Sequence, residues 1–216
     1  MDIVFDFGNV LVEWDPVRLI DAHYAVASRP GWTAERLAQA LVEHTDWHDF
    51  DRGVIDGATL AARCAARLSL PEAPLAAFIE RIPHVLPMFA ASVAAVETLT
   101  AVPRGEREGG RRVLYLSNMP TRFSDVLEAR CAWIARFDGG VFSGRVQQLK
   151  PDAAIYATLE SRYGLEPTRL LFLDDSAANV AAARSRGWTA ERIDRPGRVI
   201  EALADHGVLA APPRAL

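Results

Sequence analysis

Three carboxylates, one lysine, a serine and two asparagines occupy positions in this sequence from which phosphorus chemistry can be built. Asp6 lies near the end of the run Ile3-Val4-Phe5-Asp6-Phe7, which Gly8-Asn9 closes, Ser117 and Asn118 follow Val113-Leu114-Tyr115-Leu116, and Asp174 and Asp175 follow Leu170-Leu171-Phe172-Leu173. Lys150 stands in a separate loop before Pro151 and Asp152, and Asn179 lies a few residues beyond the acid pair. An ionised carboxylate can attack an electrophile, a hydroxyl and an amide can hydrogen-bond an anion, a lone ammonium can neutralise it, and paired acids can hold a hard cation through oxygen ligands. Together these are the groups that phosphoryl transfer requires.

Each group also has a plainer reading. Asp6 could cap the turn at Gly8-Asn9, while Asp174, Asp175 and Ser117 suit the N-cap of a following helix and Lys150 could lie on the surface. Two arguments favour the chemical reading. An acid in so apolar a run is costly without a partner, and two adjacent buried acids repel unless a cation joins them. Of the 24 basic residues all but Lys150 are arginine. A compact, flexible ammonium does what a broad, planar guanidinium cannot, which gives lysine a reason to persist at that one position.

For these groups to meet, the segments that carry them must lie side by side. The three apolar runs read as parallel strands buried on both faces, each stopping in a turn. From residue 15 to about 87 the pattern becomes helical. Asp15-Pro16 reads as an N-cap and first-turn pair, Thr33 caps a second helix, and Leu60, Cys64 and Leu68 recur every fourth residue. After an Ala-rich helix over 88–102 and a Gly-rich loop, strands at 113–116, 139–142, 170–173 and 188–193 alternate with helices over 122–130, 152–163, up to 186 and up to 206. The hexapeptide Trp32-Thr33-Ala34-Glu35-Arg36-Leu37 nearly recurs as Trp188-Thr189-Ala190-Glu191-Arg192-Ile193, yet context makes the first copy helical and the second a strand. The alternation predicts an α/β fold, a Rossmann-like doubly wound parallel sheet, with residues 1–13 and 86–216 as the core and 14–85 as a small helical domain inserted after the first strand. In such sheets ligands bind beyond the carboxyl ends of the strands, where Asp6, Ser117-Asn118 and Asp174-Asp175 fall.

Taken in order, Val4-Phe5-Asp6-Phe7-Gly8-Asn9-Val10-Leu11, Leu116-Ser117-Asn118, Lys150-Pro151-Asp152 and Phe172-Leu173-Asp174-Asp175-Ser176-Ala177-Ala178-Asn179 resemble the four motifs of the haloacid dehalogenase-like hydrolase superfamily. The helical insert falls where that family places a small cap. The Gly-Asn-Val opening and the double Asp are similar to the subgroup that contains a bacterial glucose-1-phosphate phosphatase and the N-terminal phosphatase domain of soluble epoxide hydrolase. The resemblance implies a hydrolase of small phosphate monoesters, sugar phosphates among the candidates, in which Asp6 attacks phosphorus and water hydrolyses the aspartyl-phosphate. It implies Mg2+ as cofactor, held by Asp6, the Gly8 carbonyl and Asp175, with Asp174 acting through a metal-bound water and Asn179 orienting this shell or Lys150. Ser117 and Asn118 then bind the phosphoryl group, helped by the helix N-terminus near Pro120, and Lys150 neutralises its charge.

The chain departs from the family pattern at one place. Phosphatases of this superfamily usually carry a second Asp two residues after the nucleophile, which protonates the leaving oxygen, and here that residue is Gly8. General acid catalysis is worth about 10²–10⁴ in rate, which leaves three readings: a slow enzyme, one that favours good leaving groups, or one that borrows a proton donor from the cap, with His48 and Glu13 as the candidates. Trp14, Trp47 and Phe50 belong either to the core or to a substrate pocket. Two rival readings stay open: a 2-haloacid dehalogenase that turns Asp6 on carbon without metal, and a phosphate-binding or regulatory protein that lost turnover together with the acid.

Composition narrows the partners. Half of the 216 residues are apolar, about a quarter are charged and the net charge is −4, a globular balance with no electrostatic case for nucleic acid or an anionic membrane. The basic stretch over 104–112 is diluted by Glu106, Glu108 and glycines and reads as a solvated connector. Cys64 and Cys131 fit neither a disulfide framework nor a zinc site. Asp2 and Asp6 interrupt any export signal, and no run approaches the ~18 apolar residues of a membrane span. The expectation is a cytoplasmic monomer or homodimer acting on a small-molecule phosphate ester.

Overall fold

A computed structural model describes residues 1–24, 31–195 and 197–210. Its strands are β1 (Asp2–Phe5), β2 (Val113–Ser117), β3 (Gly139–Phe142), β4 (Leu170–Asp174) and β5 (Thr189–Arg192). They form one parallel sheet in the order β3-β2-β1-β4-β5. Chain order therefore reverses beside β1, which pairs with β2 on one side and with β4 on the other. Such a switch point opens a crevice at the carboxyl ends of the two strands that flank it.

Strand residues alternate between two layers. Ile3, Phe5, Val113, Tyr115, Leu171 and Leu173 join one apolar cluster, and Val4, Leu114, Leu116, Leu170 and Phe172 join another. Both layers are covered, which is why these strands are continuous apolar runs rather than alternating ones. The helices are α1 (Pro16–His23), α2 (Ala34–Val42), α3 (Thr45–Arg52), α4 (Gly57–Leu68), α5 (Glu72–Val85), α6 (Ala90–Leu99), α7 (Thr121–Arg130), α8 (Ser143–Val146), α9 (Ala153–Tyr163), α10 (Ala177–Ser185) and α11 (Arg198–Asp205). None is long and apolar enough to cross a membrane. The second layer is closed by Ile155, Tyr156 and Leu159 of α9 and Val180 of α10.

Helices α1 to α5 lie between β1 and β2, where the helical pattern places the insert. Their starts are capped as the sequence suggests: Asp15 accepts from the Arg18 N–H (3.0 Å) and Thr33 from the Arg36 N–H (3.2 Å). Leu37, Leu60, Leu75, Phe78 and Ile82 from the insert belong to the same apolar cluster as Ile3 and Phe5. Residues 25–30 of the expected insert and residues 196 and 211–216 of the expected core lie outside the described residues.

One contact between insert and core is made by backbone alone. Helix α3 ends at Gly53 with φ +76°, and a Cβ placed there would lie 2.3 Å from the Gly144 carbonyl oxygen of α8. Next to it the Ser143 hydroxyl donates to the Asp51 carbonyl (2.5 Å) while accepting from the Met119 N–H (2.7 Å). These contacts pin the last turn of α3 to the loop after β2. Gly53→Ala is expected to lose at least about 2 kcal/mol, since left-handed backbone at a non-glycine residue alone costs ~1–3 kcal/mol. Thermal denaturation would read this as a fall of roughly 4–8 °C for a chain of this size. An unchanged midpoint would mean that the α3–α8 contact yields at little expense.

Candidate active site

Asp6 stands one residue past the β1 ladder, with its backbone still held by a hydrogen bond from its N–H to the Leu173 carbonyl (2.9 Å). The sequence reading carried the strand on to Phe7. Instead the chain turns there, because the N–H groups of Val10, Leu11 and Val12 all converge on the Phe7 carbonyl. Asp6 Oδ1 accepts from the Phe7 N–H (2.7 Å) and lies 2.8 Å from Lys150 Nζ. The same amine lies 2.6 Å from Asp174 Oδ2. All three residues are buried, Lys150 at 4% exposure.

Each remaining acid has its own anchor. Asp174 accepts from Asn179 Nδ2 at both oxygens (3.0 and 3.1 Å) and from the Ser176 N–H (2.8 Å). Asp175 accepts from Asn9 Nδ2 (3.0 Å), and Asn9 Oδ1 in turn accepts from the Trp14 N–H (3.0 Å). Asn9 has φ +54°, a conformation that asparagine tolerates better than most residues. One carboxylate oxygen from each of Asp6, Asp174 and Asp175 lies within 4.8 Å of the others.

The plainer alternatives can be compared with this geometry. The N-cap of α10 is Ser176, whose hydroxyl accepts from the Asn179 N–H (3.4 Å), so neither Asp174 nor Asp175 caps it. Helix α7 starts after Pro120 without a side-chain cap, so Ser117 is not an N-cap either. Ser117 is buried, lines the same cavity as Asp6, and hydrogen-bonds no described residue through its hydroxyl. Asn118, expected at the phosphoryl group, directs its amide at Lys150 instead. Its Oδ1 accepts from the Lys150 N–H (2.8 Å) and its Nδ2 donates to the Lys150 carbonyl (2.9 Å). The second motif therefore locks the backbone of the third.

Charge is unbalanced here. Three carboxylates share one ammonium, so the fully ionised cluster carries −2. Burial, reinforced by the negative charge of Asp174 and Asp175, pushes the Asp6 carboxyl up to about 7 against the pull of Lys150. Burial also raises the Asp175 carboxyl, with the Asn9 hydrogen bond working the other way. For Lys150 burial disfavours the charge, yet the Asp174 and Asp6 carboxylates outweigh it and the amine is raised. A buried, all-oxygen donor set with two excess negative charges fits a hard divalent cation such as Mg2+, for which Asp6, Gly8 and Asp175 line the open side of the site.

The cavity above these groups has a volume of about 200 Å³. Trp14, Trp47, Leu86, Met119 and Phe123 form much of its wall. Trp14 and Trp47 pack at 5.8 Å between ring centroids, whereas Phe50 turns away into the core between Trp47 and Phe123. Neither expected proton donor lines this space. His48 is exposed, and Glu13 is held by Arg18 (2.8 and 3.0 Å) beside a different hollow. The acid of the insert that does line it is Asp51, which the sequence reading missed. The available signal was its spacing: Asp51 follows Trp47 by four residues and shares that face of α3.

A family model described as haloacid dehalogenase-like hydrolase matches residues 3–187. The chain is 24% identical over 185 residues to a sesquiterpene phosphatase of Aspergillus oryzae, covering 85% of each protein. Among solved structures it is similar to a haloacid dehalogenase family enzyme of Bacteroides thetaiotaomicron in complex with magnesium and inorganic phosphate, with a TM-score of 0.66, 16% identity and coverage of 88% of this chain and 92% of that one. It is also similar to the L-2-haloacid dehalogenase of Xanthobacter autotrophicus with chloropropionic acid covalently bound, with a TM-score of 0.65, 19% identity and coverage of 98% and 84%.

Proposed function

The chain belongs to the haloacid dehalogenase-like hydrolase family, and from that premise we propose that it hydrolyses small phosphate monoesters, with Asp6 as nucleophile and Mg2+ as cofactor. The observation that carries the reading is the buried cluster in which Lys150 bridges Asp6 and Asp174 at 2.8 and 2.6 Å while two negative charges stay uncompensated. A phosphatase site needs a cation in addition to its lysine, and this one is built with that deficit. The sesquiterpene phosphatase and the magnesium-phosphate complex among its relatives support the same reading.

In the mechanism, Asp6 attacks phosphorus, the alcohol leaves, and water then cleaves the aspartyl-phosphate. Lys150, fixed by Asn118, holds Asp6 and balances the charge that builds on the phosphoryl oxygens. The Ser117 hydroxyl lines the same space and would bind those oxygens, with the positive end of α7 beginning beside it after Pro120. Asn179 orients Asp174, which keeps the amine in place. Asp6, Gly8 and Asp175 would hold Mg2+, whose positive charge would favour ionised Asp6 and offset the charge of the phosphoryl oxygens. Residues 14–85 serve as the cap, contributing Trp14, Trp47 and Asp51 to the cavity wall.

A volume of about 200 Å³ is below the ~300–1,000 Å³ of pockets for drug-sized ligands, so a compact ester is favoured. The aromatic wall favours an alcohol with apolar surface at least as much as a sugar. Dehalogenation is disfavoured by charge, since a haloacid carboxylate would meet a metal-free site that already carries −2.

The test is hydrolysis of para-nitrophenyl phosphate, expected with Mg2+ and lost on chelation. Stability gives an independent readout. Asp6 and Asp175 hold their protons more tightly in the fold than in the unfolded chain, so that stabilisation is complete below about pH 4 and lost as pH rises to about 7. Metal-free protein should therefore melt lower near pH 7.5 than near pH 5 as these two groups ionise. Mg2+ at 100 times its Kd adds about 2.7 kcal/mol, or roughly 5–10 °C, and at one fixed Mg2+ concentration the gain should be larger at the higher pH. Chelator-resistant hydrolysis together with no thermal shift would remove the metal from the scheme.

A further inference from the structure

We propose that Asp51 is the general acid of the reaction, delivering to the leaving oxygen the proton for which Gly8 provides no carboxyl. This rests on the phosphatase reading above and adds a residue to it from the helical insert. Asp51 lines the cavity together with Asp6, Lys150 and Ser117, and it is the one acid there that comes from the insert. It sits in the last turn of α3, on the same face as Trp47. Its own carbonyl is hydrogen-bonded by Ser143, and Gly53 packs against Gly144 two residues on. The backbone that carries this carboxyl is thus fixed to the loop that follows the phosphate-binding Ser117.

What distinguishes Asp51 is the lack of a partner. Asp51 is half-buried, and the acids around it each have a partner: Asp6 has Lys150, Asp174 has Lys150 and Asn179, Asp175 has Asn9, and Asp46 has His44 and Arg63. The charged groups of the elements packed on α3 are engaged elsewhere or face solvent. Arg63 of α4 meets Asp46 and Asp49 (3.4 and 3.7 Å), Arg52 meets Asp49 (3.5 Å), Arg145 of α8 meets Glu128 and Asp125 of α7 (2.6 and 2.8 Å), and Glu35 and Arg36 of α2 are exposed. Across the cavity stand Asp6, Asp175 and Lys150. No described residue hydrogen-bonds or pairs with the Asp51 carboxyl. With no donor or cation to favour the anion, burial alone pushes this group up to about 7. A carboxyl that keeps its proton near neutral pH has the property a general acid needs.

The step balances. As the Asp6 oxygen bonds to phosphorus, the bond between phosphorus and the ester oxygen breaks with its electron pair, and that oxygen takes the Asp51 proton to leave as a neutral alcohol. The Asp51 carboxylate then removes a proton from the water that attacks the aspartyl-phosphate. Phosphate departs, and both acids return to their starting state.

The experiment compares kcat/KM of wild type and Asp51→Asn, with Mg2+, on para-nitrophenyl phosphate and on n-butyl phosphate. Nitrophenolate leaves without a proton and butoxide does not. Because kcat/KM reports only steps through the departure of the alcohol, the second role of Asp51 does not enter it. Wild type should turn over both esters, and the variant should lose about 10²–10⁴ on the butyl ester while losing far less on the aryl ester. The decline of butyl ester hydrolysis above about pH 7 in wild type should vanish in the variant. Asparagine is nearly isosteric and removes no hydrogen bond, and adding Gly8→Asp to Asp51→Asn should restore butyl ester hydrolysis, which a merely misfolded protein would not allow. A Cβ at Gly8 meets its nearest neighbour, Trp14, at 3.9 Å, an ordinary contact. Equal losses on the two esters, or a butyl ester rate and pH profile like those of wild type, overturn the assignment while leaving the phosphatase reading intact. Wild type inert toward both esters overturns both.

Discussion

Asp6→Asn should reduce hydrolysis of every phosphate ester by about 10⁶-fold, the scale on which an enzyme loses turnover with its nucleophile, while leaving the fold intact. Asparagine keeps the oxygen that accepts from the Phe7 N–H and fills the same volume, so local geometry has little cause to change. What disappears is the anionic carboxylate oxygen that forms the bond to phosphorus. Stability should move the other way. Ionised Asp6 is disfavoured in its site, chiefly by burial and further by Asp174 and Asp175, so a neutral amide relieves that cost wherever wild-type Asp6 is ionised, above about pH 7. The variant is expected to melt no lower than wild type near pH 7.5 without metal, since Lys150 keeps Asp174 as its partner. Rapid quench of wild type with labelled ester should trap an acid-stable, hydroxylamine-labile phosphoprotein that Asp6→Asn never forms. Aryl phosphate turnover by the variant near the wild-type rate would place the nucleophile elsewhere.

The second large effect belongs to Lys150. Breaking a buried ion pair from one side costs about 3–5 kcal/mol because the abandoned charge has no partner, and here one amine serves two carboxylates. Lys150→Met should lose stability on that scale near pH 7.5. Lys150 is raised in the fold and charged across the whole accessible range, so its own titration contributes nothing below about pH 10. The pH dependence must come from the acids. Deprived of the amine, Asp6 holds its proton more tightly still, and the fold loses that stabilisation as pH rises. The deficit should therefore be smaller near pH 5, which chemical denaturation at the two pH values will read. Turnover should fall at least 10²–10³-fold, as for other lost transition-state donors. Lys150→Arg should not rescue it, because a guanidinium has to enter a space where the lysine side chain is 1% exposed and lies over the Phe172 ring at 5.4 Å. Equal stability losses at both pH values, or full activity in the arginine variant, would contradict this account.

The features legible in the sequence were those set by local chemistry. Unbroken apolar runs marked β1, β2 and β4, and the helix starts at Asp15 and Thr33 followed from cap residues. The near-repeated hexapeptide shows where local chemistry ends. Its first copy starts α2 and its second forms β5, because one follows a cap and feeds an amphipathic face while the other joins a ladder beside β4. Roles that depend on packing were hidden. Nothing in the composition of α3 says that Asp51 faces the cavity while Asp46 and Asp49 face arginines of α4, or that His48 points to solvent. The direction of each side chain is set by how α3 is rotated, and that is decided at Gly53 and Gly144, far apart in sequence. Asn118 was placed in the correct loop, but its attachment to the Lys150 backbone depends on a neighbour 32 residues away.

The Ser143 hydroxyl ties two distant parts of the proposed site together. It joins the chain segment bearing Asp51 to the one that follows Ser117, so α3 cannot swing outward without severing that link. Any outward movement of α3 would carry Asp51 away from Asp6, so under the proposed scheme an unlatched insert would be unable to protonate a departing alcoholate.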